Sequence, residues 1–432
     1  MLSQQRLNQL RENRDAIAEM NAKREKANAW TILKHSIGSD LTRLTIPVIF
    51  NEPLSFLQRL TEYMEYSPLL SNVATERDPV KRIEKVAAFA VSALASNYGR
   101  LRKPFNPLLG ETYQLEKSEF RICCEQVSHH PPISAFHAQG TGFQFYGSIQ
   151  PKIRIRGQSL EVEPIGLITL QLDTIDDVYT WSNVSTIVNN IIVGALTIEQ
   201  EGKMEIVSHR SGLKCTLQFK PTSTLFGKSE RRSVQGYVIN QQKDTIRAVY
   251  GDWTQFLASC DVEIFKTSFT RWTKESSKIG LFRTASSPGQ SPVVPLVNCE
   301  SSLRTVAGIA NSTLLWRVEA KPPSAADLFD FTYFAMELNS LELAESITLP
   351  PTDSRLRPDI RLLEKGNLDD AGKAKLRLEE KQRFDLEMRK KSKQTWVPRW
   401  FTFGTHAEAK KPCWLFNGAY WKNDWSSCPN LF

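Results

Sequence analysis

From Trp30 onward the apolar positions Trp30, Leu33, Ile37, Leu41 and Leu44 fall at spacings of three and four, one stripe of a short helix that Gly38 weakens. Acid-proline pairs predict two further helix starts: Glu52-Pro53 before Leu54, Leu57, Leu60 and Met64, and Asp78-Pro79 before Ile83, Val86, Ala90 and Leu94. Beyond Tyr113 the period drops to two, as in Lys152-Ile153-Arg154-Ile155-Arg156 and Leu160-Glu161-Val162-Glu163. Similar runs recur to about residue 270: Gly166 to Leu172, Tyr179 to Trp181, Ile191 to Ile198, Met204 to Val207, Lys214 to Phe219, Val234 to Ile239 and Thr245 to Tyr250. So many short strands predict a mainly β chain with helices (α+β), its large antiparallel sheet curling into a barrel that hides its edges.

The pattern breaks in residues 275–312, where Ser286-Ser287-Pro288-Gly289-Gln290-Ser291-Pro292 marks a flexible surface insertion. Strands are expected again at Leu314 to Val318 and Phe329 to Leu338. After Pro350-Pro351, residues 361–394 are dense in Lys, Arg, Asp and Glu and read as a charged helix with a basic C-terminal end. The last residues are aromatic and read as loop. Residues 1–29, of mixed charge and without Pro or Gly, read as an exposed helical extension or linker.

Composition narrows the class. Of 432 residues, 41% are hydrophobic and 24% charged, as in folded globular chains. The longest nearly apolar run, Val86 to Ala95, falls short of the ~18 residues a bilayer crossing needs. Met1-Leu2-Ser3 leads into charged residues rather than a secretory signal, so the expected location is cytoplasmic. Seven cysteines, Cys123 and Cys124 adjacent among them, offer neither a disulfide framework nor CxxC pairs at zinc spacing. A net charge of +8 points to an anionic partner, lipid or nucleic acid. Nucleic acid is the poorer fit, because the basic density sits on a charged helix rather than among aromatics on strands.

The sharpest local feature is Glu125-Gln126-Val127-Ser128-His129-His130-Pro131-Pro132. Two prolines forbid a helix and stiffen the chain just after paired imidazoles. A metal site would need ligands from His137, Cys123, Cys124 or Glu125, which lack zinc spacing, so no metal or other cofactor is expected. Ser128 beside His129 has no nucleophile elbow, and no Cys-x5-Arg phosphatase loop stands in the chain, so no enzyme is expected. Two readings stay open: core histidines with satisfied hydrogen bonds, or imidazoles that donate to a phosphate.

The run EQVSHHPP, together with Lys103-Pro104-Phe105-Asn106-Pro107-Leu108-Leu109-Gly110-Glu111, resembles the signature of the oxysterol-binding protein family. Leu54 to Glu65, Val86 to Ala95, Leu356 to Arg361 (LRPDIR) and Glu379 to Arg383 (EEKQR) extend the likeness from about Trp30 to the end. The resemblance implies an incomplete antiparallel β-barrel enclosing a hydrophobic lipid tunnel, with an N-terminal helical lid and a C-terminal helical subdomain. On this chain the lid would be residues 30–45, the helices 52–98, the barrel about 112–345 and the helical part 350–432.

The resemblance also implies a lipid-transfer protein that takes one sterol or one phosphoinositide, phosphatidylinositol 4-phosphate, and exchanges them between membranes; phosphatidylserine or a bisphosphorylated phosphoinositide is the alternative cargo. It assigns the phosphates to Lys103, the backbone near Phe105 and Asn106, His129, His130, and the helical set Lys375, Glu379 and Arg383. Without it, those last three read more readily as a ladder of i,i+4 ion pairs. By the same resemblance Trp30, Leu33, Ile37 and Leu41 face the sterol from the lid, and Asn97 and Tyr98 lie deep in the tunnel near its hydroxyl. Anionic membranes are the implied partners, met peripherally and transiently. Asp327-Leu328-Phe329-Asp330-Phe331 faintly resembles a peptide that docks on endoplasmic-reticulum receptors, and residues 1–29 are too few for a pleckstrin-homology or ankyrin module, as expected of a short family member or of the later part of a longer protein.

Overall fold

The computed structural model describes residues 8–10, 12–13, 16–20, 46–220, 232–268, 305–306, 309–323, 325–342 and 348–432. Its centre is a fourteen-stranded sheet. The strands are β1 (Thr112–Glu116), β2 (Phe120–His129), β3 (Pro132–Gly140), β4 (Phe143–Arg156), β5 (Ser159–Ile165), β6 (Ile168–Leu172), β7 (Asp177–Trp181), β8 (Ser185–Asn189), β9 (Thr197–Ser208), β10 (Lys214–Phe219), β11 (Ser233–Ile239), β12 (Thr245–Asp252), β13 (Phe256–Cys260) and β14 (Thr313–Arg317).

The alternation that predicts strands also selects the inner face. In β4, Phe143, Phe145 and Ile149 are buried while Gln144, Tyr146 and Gln150 face outward. β4 is long enough to fork the sheet: Phe143–Gly147 pairs with β6, and Gln150–Arg156 pairs with β5. At the fork, a Cβ on Gly166 would stand 1.8 Å from the Ser148 carbonyl oxygen, so a side chain there would push the two branches apart. The branches rejoin on β9 through β8 and β7. The end strands β1 and β14 are not paired with each other, so the barrel is incomplete.

Three helices fill the concave side. They are α1 (Phe56–Thr61), α2 (Pro68–Thr75) and α3 (Pro79–Ala95). α3 starts as predicted, with Pro79 in its first turn and the Asp78 carboxylate accepting from the N–H groups of Val80 and Lys81. It is buried almost all round and packs on β9 to β11, β13 and β14. Its two buried charges find partners on the sheet, Arg82 with Asp177 at 3.3 Å and Glu84 with Arg247 at 3.0 Å. No helix among the described residues is long and apolar enough to cross a membrane.

Several expectations need correction. Glu52-Pro53 does not open a helix: Asn51–Ser55 is a short strand lying parallel to Lys103–Phe105, and α1 begins only at Phe56, where Ser55 and Gln58 form a capping box. Residues 191–196 form an irregular bend, so β9 starts at Thr197. Phe329 to Leu338 is not a strand; its second half is helix α4 (Tyr333–Glu337), capped by the Thr332 hydroxyl accepting from Ala335 N–H. Phe329 and Phe331 are buried, with the guanidinium groups of Arg102 and Arg100 over their rings, so the receptor-like peptide is folded into the core. Predicted loop at the C-terminus is a hairpin, Phe401–Thr405 with Pro412–Phe416, whose aromatic rings pack on the outside of β3 and β4. The charged segment forms α5 (Pro358–Glu364) and α6 (Leu368–Lys391). The proposed lid residues Trp30, Leu33, Ile37 and Leu41 lie outside the described residues, as does most of the expected insertion at 275–312.

Candidate phosphate-binding rim

The loop that follows Lys103 is set by ionic bonds beneath it. Glu111 is fully buried and accepts from Leu108 N–H at 2.8 Å and from the Ser354 hydroxyl at 2.7 Å. Arg357 donates to Glu111 at 2.7 Å, to the Asn106 carbonyl at 2.9 Å, and to Asp359 at 2.7 Å. Two segments singled out in the sequence, KPFNPLLGE and LRPDIR, are thus two halves of one buried network. Gly110 completes the loop: its φ is +83°, and a Cβ would meet the Trp396 ring at 2.6 Å.

At the surface of this loop the Lys103 ammonium donates to the Asn106 side chain at 2.7 Å, whereas the Phe105 ring points into the core, 5.4 Å from the Arg357 guanidinium carbon. Lys375, on α6, donates to the Ile46 carbonyl at 3.0 Å and to Glu379 at 2.7 Å. Burial first, then the neighbouring Lys375 charge, push the Lys103 ammonium down to about 8, with Glu379 pulling the other way. Two lysines and one carboxylate therefore share a site that carries excess positive charge. Beside it, a cleft of about 410 Å³ separates residues 46–49 from α6. Arg383 is exposed one turn beyond Glu379, and none of the ion pairs among the described residues includes it.

The histidine pair closes the other side. A register shift between Gln126 and Ser128 redirects the end of β2, and the His130–Pro131 bond is cis. The two rings lie 4.6 Å apart between centroids, His129 half-buried and His130 exposed. Gln382 of α6 accepts from Leu109 N–H through Oε1 at 2.8 Å, so its NH2 group faces His129 Nε2 at 2.8 Å. His129 Nε2 must then accept, which leaves the ring proton on Nδ1. Burial first, then the adjacent His130, push the His129 imidazole down to about 4, so it is neutral at pH 7. Gln382 was not anticipated; its only sequence signal was its place inside EEKQR.

Glu125, the first residue of the histidine motif, faces elsewhere. Its carboxylate accepts from the N–H groups of Arg399 and Trp400 at 2.9 and 3.0 Å and pins the C-terminal hairpin to the sheet. Burial pushes it up to about 7, against those same N–H groups. Asn97 and Tyr98 follow the end of α3. Asn97 accepts from Arg59 at 2.8 Å, at the edge of a buried cluster in which Arg100 pairs with Glu52 and Glu62. The Tyr98 ring is 37% exposed, with the Arg232 guanidinium 4.6 Å above it. Polar groups after α3 go to ion pairing because two buried carboxylates there demand partners.

The rim so assembled brings Lys103, Asn106, His129, His130, Lys375 and Glu379 together from segments far apart in sequence. The family model described as oxysterol-binding protein matches residues 28–425. The chain belongs to the oxysterol-binding protein family. It is 45% identical over 98% of its length to oxysterol-binding protein-related protein 1 of Rattus norvegicus, of which it spans only 44%. It is 43% identical to oxysterol-binding protein-related protein 2 of Homo sapiens, covering 98% of this chain and 89% of that protein. Among solved structures, the Osh1 ORD domain in complex with cholesterol superposes with a TM-score of 0.75 at 31% identity, over 92% of this chain and 88% of that one. The Osh3 ORD from Saccharomyces cerevisiae in complex with PI(4)P gives 0.71 at 30%, over 93% and 95%. The large antiparallel sheet with its helical filling is therefore the fold of this family's lipid-binding domains.

Proposed function

We propose that this chain carries lipid between membranes without chemical conversion, holding either one sterol or one phosphatidylinositol 4-phosphate at a time, as a protein of the cytoplasm that touches membranes peripherally and briefly. The observation that carries the reading is the rim: Lys103 and Lys375 share the Glu379 carboxylate, Lys103 reaches Asn106, and the His129–His130 pair meets the same helix at Gln382. A multiply charged phosphate headgroup supplies the missing anions, since charge-assisted bonds to phosphate are about twice as strong as neutral ones. Glu379 orients Lys375, and its carboxylate is of the kind that accepts from inositol hydroxyls. Relatives in family and fold, one with cholesterol and one with PI(4)P bound, support the two cargos.

Two measurements test it. In a liposome assay, a fluorescent sterol should leave donor vesicles several times faster when the acceptors contain phosphatidylinositol 4-phosphate; indifference to that lipid would sink exchange. The second uses pH. Lys103 titrates near 8 in the free protein, and a bound phosphate must raise that value. Binding then takes up a proton above pH 8, so phosphoinositide affinity should fall as pH rises from 8 toward 10, by up to about tenfold per unit, and be flat from 7 to 7.5. Lys103→Met should remove the slope.

A further inference from the structure

Of the two lysines that share Glu379, Lys375 alone stands at ion-pair distance from it, 2.7 Å, and none of the ion pairs among the described residues includes Lys103. The Lys103 amine instead meets a neutral partner, the side-chain oxygen of Asn106 at 2.7 Å. Lys103 is half-buried, and the charged groups that act on it are Lys375 and Glu379 of α6, with the lysine the stronger of the two. An amine desolvated beside a second cation gives up its proton easily. A fall from the usual 10.5 to about 8 increases the share of free amine near neutral pH on the order of a hundredfold over an ordinary lysine. The cleft of about 410 Å³ beside this cluster is lined by Lys375 and Glu379 and by the apolar Ile46, Pro47, Val48 and Leu376. It has room for a small organic molecule with one charged group.

We propose that Lys103 is a site of covalent modification, its amine condensing with a small phosphorylated aldehyde whose phosphate pairs with Lys375. The nitrogen attacks the carbonyl carbon and a C–N bond forms. The carbonyl oxygen then leaves as water with the two protons of the free amine, and an imine remains; no oxidant or reductant is needed. Lysines desolvated or set beside another cation are suited to this chemistry. The phosphate distinguishes the reagent from a plain aldehyde: Lys375 supplies its counter-charge, and the apolar walls of the cleft take the rest of the molecule. The adduct removes the Lys103 charge and fills the rim, so a modified chain should no longer take a phosphoinositide headgroup. That consequence rests on the carrier reading, whereas the reactivity of Lys103 does not.

The test treats the full chain with pyridoxal phosphate as the probe near neutral pH, fixes the imine by borohydride reduction and locates the adducts by peptide mass spectrometry. Lys103 should carry at least about tenfold more adduct than the median lysine; the gain is smaller than that in free amine because a weaker base is also a weaker nucleophile. Pyridoxal, which lacks the phosphate, should label Lys103 about tenfold less. Lys375→Met, its folding checked by circular dichroism, should cut the adduct by about the same factor, since it removes both the neighbouring charge and the partner of the phosphate. A lysine that is merely accessible would not respond to that change. A short-chain, water-soluble phosphatidylinositol 4-phosphate should protect Lys103, and the reduced adduct should lose phosphoinositide capture while keeping sterol extraction. Adducts spread evenly over the lysines, or equal labelling of Lys103 by pyridoxal, would overturn the inference. So would an unchanged Lys103 adduct in folded Lys375→Met. Preferential labelling of Lys103 in a chain that captures no phosphoinositide would sink the carrier reading and leave the modification site standing.

Discussion

Replacing His129 and His130 together by Ala is expected to reduce phosphatidylinositol 4-phosphate extraction by about 100-fold or more, as two charge-assisted bonds worth ~1.5–3 kcal/mol each are lost. Sterol extraction should stay within about twofold of the parent, because a sterol presents no phosphate to this rim. The structure adds a distinction between the two rings. His130 is exposed, but His129 is already engaged by Gln382 and neutral at pH 7. A phosphate that takes Nε2 of His129 as donor must displace Gln382, because that nitrogen accepts from the Gln382 amide while the ring proton sits on the buried Nδ1. Gln382→Leu should therefore free His129 and loosen α6 from the Leu109 N–H at once, a smaller effect than losing the pair. Equal loss of both lipids in the folded double variant would instead make the histidines structural.

Arg357→Ala is expected to destabilise the fold by about 3–5 kcal/mol, the usual cost of removing one member of a buried ion pair. Glu111 and Asp359 are both fully buried, and the alanine would leave them facing each other's charge without a cation. The Asn106 carbonyl would lose its donor in the same step, so residual folded protein should also hold phosphoinositide poorly. Arg357→Lys should recover only part, since one ammonium cannot bridge three acceptors in Arg's fork geometry. Urea unfolding measures the effect; a change below about 1 kcal/mol would show that the network relaxes without its centre.

Most of the sheet was legible because alternation is local and repeats over many strands. What escaped was non-local. Glu52-Pro53 looked like a helix start because the apolar spacing of Leu54, Leu57 and Leu60 is helical, yet pairing of Asn51 with Lys103, far along the chain, pulls the preceding segment into a strand. Phe329 to Leu338 alternated like a strand, but Thr332 caps a helix and Phe331 packs under the Arg100 guanidinium instead of joining a sheet. The aromatic tail read as loop because its strands pair only with each other and bury their rings against β3 and β4, a surface no window of sequence reveals.

For the site, the histidine motif stood out by composition and the loop after Lys103 by family resemblance, and the structure brings both to α6. Their division of labour was not visible. Within the same motifs Glu111, Arg357 and Glu125 carry architecture, while Lys103 and His130 face outward. Side chains adjacent in sequence point to opposite sides of a strand, so a motif marks a place without saying which of its members meets the ligand.

The carrier account is tested most directly by native mass spectrometry of the protein after incubation with vesicles that contain both a sterol and phosphatidylinositol 4-phosphate. It predicts two populations, each one lipid heavier than the bare chain, whose ratio shifts toward the lipid in excess. A species carrying sterol and phosphoinositide together, persisting as their concentrations are raised, would contradict it.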